Sequence, residues 1–130
     1  MYIIIVGASK LGYNLTKSLI ADGHEVVLIE KEQHKYDQLA KELGEVLYYG
    51  DGCEVSTLKK VGTSRADMLI AATGLDQENL VTCQLAKLVF MVPKTLARVN
   101  DPKNEDLFKN LGVDLTVNPT NIISALIGHK

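Results

Sequence analysis

Several features are scarce in this 130-residue chain, and each scarcity removes a class of function. Cysteine occurs only at Cys53 and Cys83, far apart and in no C-x-x-C spacing. That excludes a disulfide scaffold and a cysteine zinc site, and fits reduced thiols in a cytoplasmic chain. His24, His34 and His129 are dispersed, so no metal-ligating spacing such as H-E-x-x-H is present. No apolar run approaches the roughly 20 residues of a membrane span. The run at Tyr2–Val6 is too short for a secretory signal and lacks its basic flank. Fourteen basic against 16 acidic residues leave a net charge of -2, with no electrostatic footprint for nucleic acid or an anionic membrane. With only three prolines, and no Pro/Gly/Ser linker, repeat or low-complexity tract, residues 1–130 are expected to form one domain. There is no G-x-S-x-G nucleophile elbow with assignable Asp and His partners.

What the chain does contain is alternation. Short, largely β-branched apolar runs recur at Tyr2–Val6, Val26–Ile29, Val46–Tyr49, Met68–Ala72, Thr95–Val99 and Val113–Val117, as expected of strands buried on both faces. Between and after them lie segments of helical period. The expected core faces are Leu11, Leu15 and Leu19; Tyr36, Leu39, Ala40 and Leu43; and Leu58 with Val61. Further along come Leu80, Val81, Gln84, Leu85 and Leu88; Leu107, Phe108 and Leu111; and Ile122, Ile123, Leu126 and Ile127. Gly23, Gly44, Gly62 and Gly112 stand where helices should end in the αL conformation, and Asp101-Pro102 reads as an N-cap followed by a first-turn proline. Strands alternating with helices predict an α/β, doubly wound, parallel six-stranded sheet of Rossmann type.

The candidate site is organised around Gly7-Ala8-Ser9-Lys10-Leu11-Gly12, a glycine turn between the first strand and the first helix. Unpaired amides and the positive end of the helix dipole meet there, which suits an anion. Gly7 permits the tight turn and Gly12 the close packing of helix on sheet. Ser9 occupies the middle position of the G-x-G-x-x-G pattern; it either crowds a dinucleotide or gives phosphate an extra donor. Lys10 is a phosphate-binding cation or a solvated lysine. Glu30 lies 18 positions after Gly12, near the spacing at which a carboxylate meets the adenosine ribose, and would disfavour a 2′-phosphate. Lys31 beside it could soften that exclusion.

Later strand ends supply the other candidates. Gly50-Asp51-Gly52 offers an acid to the adenine amino group, or a cap with turn glycines. Ala72-Thr73-Gly74 could border ribose or phosphates; Asn79, near the start of the longest helix, could do the same or lie on that helix surface. Arg98 in an apolar run calls for a phosphate, a subunit-interface carboxylate, or escape to solvent. Cys83 reads as packing, and Cys53 as a small filler unless exposure makes it reactive.

Taken in order, Met1–Gly12, Val26–Glu30, Gly50-Asp51, Asp67–Gly74, Glu78-Asn79-Leu80, Ala97-Arg98-Val99-Asn100 and Leu111–Pro119 resemble the regulator-of-potassium-conductance (RCK, or KTN) domain over nearly the whole chain. The phrases AATG, ARVN and LGVDLTVNPT carry more of the resemblance than the glycine turn does. The resemblance implies a cytosolic regulator of Trk/Ktr-type potassium uptake systems or potassium channels, reading NAD(H), ATP, ADP or AMP as signals. It assigns ribose to Glu30, adenine to Asp51, and phosphates to Lys10 and Arg98. Ser9 departs from the family's usual middle glycine, which shifts the expected ligand toward a mononucleotide, and Lys10 stands where an arginine is usual, a weaker bidentate phosphate clamp. The family's usual C-terminal lobe has no counterpart in these residues, which would be a single-lobe protein or a piece of a longer one. The terminal helix resembles the family's dimer-forming element, unless it packs on its own sheet.

The expected function is therefore a non-enzymatic nucleotide sensor. It would form a homodimer or higher homo-oligomer and act on a membrane potassium transporter or channel subunit from the cytoplasm, without inserting in the membrane or binding nucleic acid. The alternative is an NAD-dependent oxidoreductase using the same cleft; against it, no acid–base pair stands where a hydride acceptor would lie. A methyltransferase-like fold would want a glycine-richer first loop, and a flavodoxin-like receiver an acid cluster after the first strand.

Overall fold

The computed structural model describes residues 1–128; His129 lies outside the described residues. Its elements alternate as the periodicity requires: β1 (Tyr2–Val6), α1 (Lys10–Ala21), β2 (Glu25–Glu30), α2 (Gln33–Leu43), β3 (Leu47–Tyr49), α3 (Val55–Lys60), β4 (Met68–Ala71), α4 (Asp76–Leu88), β5 (Lys94–Arg98), α5 (Glu105–Asn110), β6 (Leu115–Val117) and α6 (Pro119–Leu126). The strands form one parallel sheet in the order β3-β2-β1-β4-β5-β6. Between β1 and β4 the order reverses, and such a point opens a crevice at the carboxyl ends of the strands.

β1 is buried along its whole length because it lies inside the sheet with a layer on each face. Ile3 and Ile5 point to the layer containing Leu11, Leu15 and Leu19 of α1 and Tyr36, Leu39, Ala40 and Leu43 of α2. Tyr2, Ile4 and Val6 point to the other layer, with Leu58 of α3, Cys83 and Ala86 of α4, and Phe108 of α5. The predicted faces of α1, α2 and α3 thus turn inward, those of α1 and α2 partly buried against the sheet.

Several expectations change. Of the expected face of α4, Leu80 and Leu85 pack against the core but Val81 and Leu88 are exposed, and the fully buried stripe is Asn79, Thr82, Cys83 and Ala86. Small and polar side chains win that stripe because they let the helix settle close to Ala71 and Ala97 of the sheet, and the Thr82 hydroxyl finds an acceptor in the Gly52 carbonyl at 2.6 Å. In α5 only Phe108 is buried; Leu107 and Leu111 face outward. Gly44 has positive φ, but its ψ of -129° is outside αL, and it opens a 3-10 turn, Gly44–Val46, that delays β3 to Leu47. Likewise Val113 is buried before β6 begins at Leu115. The aliphatic face of α6 does not pack on its own sheet: Ile122, Ile123, Leu126 and Ile127 are all exposed.

Asp76 fixes the start of α4. Its carboxylate accepts from the backbone N–H groups of Asn100 and Asp101 and from the side-chain amides of Asn100 and Asn104. Burial pushes this carboxyl up, but those hydrogen bonds outweigh it and hold it below its ordinary value of 3.8. A group depressed in the folded state stabilises above its unfolded pKa and loses that contribution as pH falls through the folded one. Asp76→Asn is therefore expected to lower the melting temperature at pH 7, with the deficit from wild type narrowing below pH 3.8. A deficit constant across an acid titration would remove the ionised carboxylate from the account.

Candidate functional site

The crevice at the switch point is a cleft of about 210 Å³ lined from four strand ends. From β1 come Val6, Gly7, Ala8 and Ser9; from β2, Ile29, Glu30 and Lys31. The segment after β3 supplies Gly50, Asp51, Gly52 and Cys53, and the segment after β4 supplies Thr73 and Gly74.

Gly7 has φ of +106°, and a Cβ there would stand 2.8 Å from Thr73 Cγ2 and 2.9 Å from the Thr73 amide nitrogen. Gly12 is more constrained: an added Cβ would lie 1.9 Å from the Gly7 carbonyl oxygen. No side chain fits that gap, so glycine sets how closely α1 approaches the turn. Ser9 caps α1, its Oγ accepting from the Gly12 N–H at 3.2 Å while donating to the Ala72 carbonyl at 2.6 Å. Of the two readings of Ser9, the extra donor to phosphate is the one this arrangement disfavours, because the hydroxyl proton is spent on the Ala72 carbonyl. The first helical bond runs from Tyr13 N–H to the Ser9 carbonyl, and the amides of Ser9, Lys10 and Leu11 have no hydrogen-bond partner among the described residues.

Glu30 is 7% exposed, and its carboxylate is held from both sides. Oε1 accepts from the Ala8 N–H and Oε2 from the Glu32 N–H, each at 2.8 Å. Each oxygen retains acceptor capacity toward the cleft. Asp51 Oδ1 accepts from the Cys53 N–H at 2.9 Å and closes a turn; the N-cap position of α3 belongs to Glu54 instead. Burial pushes the Cys53 thiol up to about 11, with Asp51 and Glu78 adding to it, so the sulfur is a neutral filler rather than a nucleophile. Burial, with Asp114 adding, pushes Cys83 up to about 12.

The remaining expected residues stand behind or beside the cleft. Lys10 is exposed on the first turn of α1, Leu11 packs in the core, and Gly12 and Ala72 are buried. Asn79 is fully buried rather than on the helix surface. Its Oδ1 accepts from the Thr73 N–H and hydroxyl, and its Nδ2 donates to the carbonyls of Thr73 and Arg98. It shapes the loop that borders the cleft. Arg98 does not line the cleft; it is half-buried, and its Nε is buried without a partner.

Sequence reasoning missed Glu32, Lys35, Leu75 and Glu78, which also line the cleft. Glu78 was the most findable, an acid in the first turn of the helix that leaves a crevice strand. Its carboxylate pairs with the Lys31 ammonium, and that hydrogen bond raises the Lys31 pKa. No group of three His, Cys, Asp or Glu that could hold a metal occurs among the described residues.

The model of the TrkA-N domain matches residues 3–119. A Trk system potassium uptake protein TrkA homolog of Methanothermobacter thermautotrophicus is 40% identical over 119 residues, covering 92% of this chain and 55% of that protein. The Trk system potassium uptake protein TrkA of Mycobacterium tuberculosis is 39% identical over 129 residues, covering 98% and 58% respectively. The chain thus spans little more than half the length of these relatives. Among solved structures, the TrkA-N domain of the inner membrane protein ybaL from Escherichia coli superposes with a TM-score of 0.84 at 19% identity, covering 97% of this chain and 93% of that one. A GsuK channel bound to NAD superposes with a TM-score of 0.80 at 23% identity, covering 98% and 22%. At these identities the structures establish the six-stranded fold.

Because all four groups bonded to Asn79 would lose a partner at once, Asn79→Ala is expected to cost about 2–4 kcal/mol of folding stability. Urea unfolding with an unchanged m-value would measure it. A loss under 1 kcal/mol would show that water or a neighbouring group replaces the amide.

Proposed function

The chain belongs to the TrkA-N domain family, and on that premise we propose that it is the nucleotide-binding part of a regulator of potassium transport, reading an adenine nucleotide without consuming it. The observation that carries this reading is the pairing of two features in one cleft: three unpartnered amides at the N-terminus of α1, and a buried carboxylate at the end of β2. Amides at a helix N-terminus receive phosphate, and a carboxylate after the second strand receives ribose hydroxyls.

In this reading the ribose sits on the acceptor capacity left at Glu30, and the adenine amino group donates to Asp51. The phosphates meet the amides of Ser9, Lys10 and Leu11, with the Lys10 ammonium beside them. Thr73 and Gly74 border the phosphates on the other wall. Arg98, with its Nε unpartnered, is the cation left for a far phosphate or for a carboxylate of a second subunit. Support for an adenine nucleotide comes from neighbours of the same fold, the GsuK channel bound to NAD, GsuK bound to ADP, and a Shewanella denitrificans Kef C-terminal domain in an AMP-bound form.

The residues form a single nucleotide-binding domain without catalytic chemistry of its own. The cleft offers carboxylates, lysines and one thiol held neutral, and the carboxylates of Glu30, Asp51 and Glu78 already hold backbone or a lysine. The partner is a membrane potassium transporter or channel subunit, met from the cytoplasmic side. No helix among the described residues is long and apolar enough to cross a membrane. The outward aliphatic face of α6 makes the homodimer, and the nucleotide acts by binding two arrangements of that dimer with different affinity.

A thermal-shift panel of AMP, ADP, ATP, NAD, NADH and NADPH tests the ligand. An adenine nucleotide at 100 times its Kd adds about 2.7 kcal/mol of stability. Glu30→Gln should weaken that response, and NADPH should give the smallest one. A flat response to the whole panel, from protein free of bound nucleotide, would overturn the reading; NADH oxidation above background with a carbonyl panel would replace it with an oxidoreductase. For the assembly, Ile123→Asp is expected to shift sedimentation from dimer toward monomer. Unchanged sedimentation would move the interface elsewhere.

A further inference from the structure

Lys31 follows the ribose-binding acid directly in sequence, and its ammonium is not free. It pairs with Glu78, whose side chain is 19% exposed against 50% for Lys31. Lys31 leaves the end of β2 and Glu78 lies in the first turn of α4, after β4. In the sheet these two strands flank β1, so the pair spans the crevice at the switch point. Both residues line the cleft, together with the carboxylates of Glu30, Glu32 and Asp51 and a second lysine, Lys35.

We propose that Glu78 is a specificity-determining residue that sets the choice at the adenosine 2′ position. This rests on the nucleotide reading above. A 2′-phosphate brings close to two negative charges to the place where a hydroxyl would meet Glu30, and a neighbouring cation is what accommodates it in clefts of this fold. Lys31 is the cation nearest in sequence to that acid. With Glu78 ionised beside it, its charge is already compensated and its donors are directed across the crevice. Glu30 alone excludes a 2′-phosphate only as far as Lys31 does not offset it, and Glu78 removes that offset.

The competing account is that Glu78 is simply an acid favoured by the dipole at the start of α4. The two accounts diverge in what a substitution moves. A dipole role changes stability and leaves the ratio of two ligands untouched. An ion pair whose lysine is half exposed contributes little to folding, so Glu78→Gln should leave the fold intact.

The experiment titrates the full chain with 5′-AMP and with adenosine 2′,5′-bisphosphate, which differ only at the 2′ position. Wild type should prefer 5′-AMP. E78Q should raise affinity for the bisphosphate relative to 5′-AMP by about fivefold or more. The double variant E78Q/K31Q should lose that gain. Lys35 is unchanged in every arm, so the difference reads Lys31. A ratio unmoved by E78Q overturns the proposal, and so does a gain that persists without Lys31. Failure of wild type to bind 5′-AMP would instead overturn the nucleotide reading, a separate result.

Discussion

The bond from the Ala8 N–H to the Glu30 carboxylate ties the fold to the cleft. It joins the glycine turn after β1 to the end of β2, the two places where a parallel sheet leaves backbone donors and acceptors unpaired. A second bond, from the Glu32 N–H, fixes the other oxygen. A carboxylate with 7% exposure would be costly without such partners. Here the partners are the amides that hold the turn in shape. The turn in turn positions Gly12 against the Gly7 carbonyl, and that contact sets the approach of α1 and the direction of its free amides.

On the opposite wall, beside the Asp76 carboxylate, the supports are neutral amides and hydroxyls. Asn79 holds the loop after β4 and the end of β5 with one side chain. Thr82 reaches the Gly52 carbonyl, and Asn118 reaches the Val99 carbonyl while capping α6. Each of these side chains is almost fully buried. Buried polar groups fully paired in this way fix one arrangement of several loops, where apolar packing would tolerate several. The cleft is therefore built on polar cross-links between strand ends, with the aliphatic core beneath supplying the stability.

The architecture was legible because β1 and its neighbours are continuous β-branched runs, and only a two-faced parallel sheet gives such runs a use. Glu30 and the glycine turn were legible for the same reason, through their spacing. α4 was not. Leu80 and Leu85 do pack against the core, but Val81 and Leu88 do not, and close approach to Ala71 and Ala97 selects Thr82, Cys83 and Ala86 for the fully buried stripe. Partnerships between distant positions were equally hidden. Lys31 and Glu78 lie 47 residues apart, and nothing local in either stretch announces the other. The Ser9 hydroxyl was ambiguous for a related reason, since its acceptor, Ala72, lies 63 residues away just past the end of β4.

The exposed aliphatic face of α6 bears on how the molecule breathes. Few side-chain bonds anchor this helix: the Asn118 cap, and Asn121 to Glu105 and to the Pro102 carbonyl. None of its residues is buried, and it follows β6, an edge strand. In a lone protomer its local opening requires far less free energy than that of the central strands. Covering its aliphatic face would merge it with the cooperative unit of the sheet. Amide exchange in α6 would then report the state of assembly, while exchange in β1 reports the stability of the domain itself.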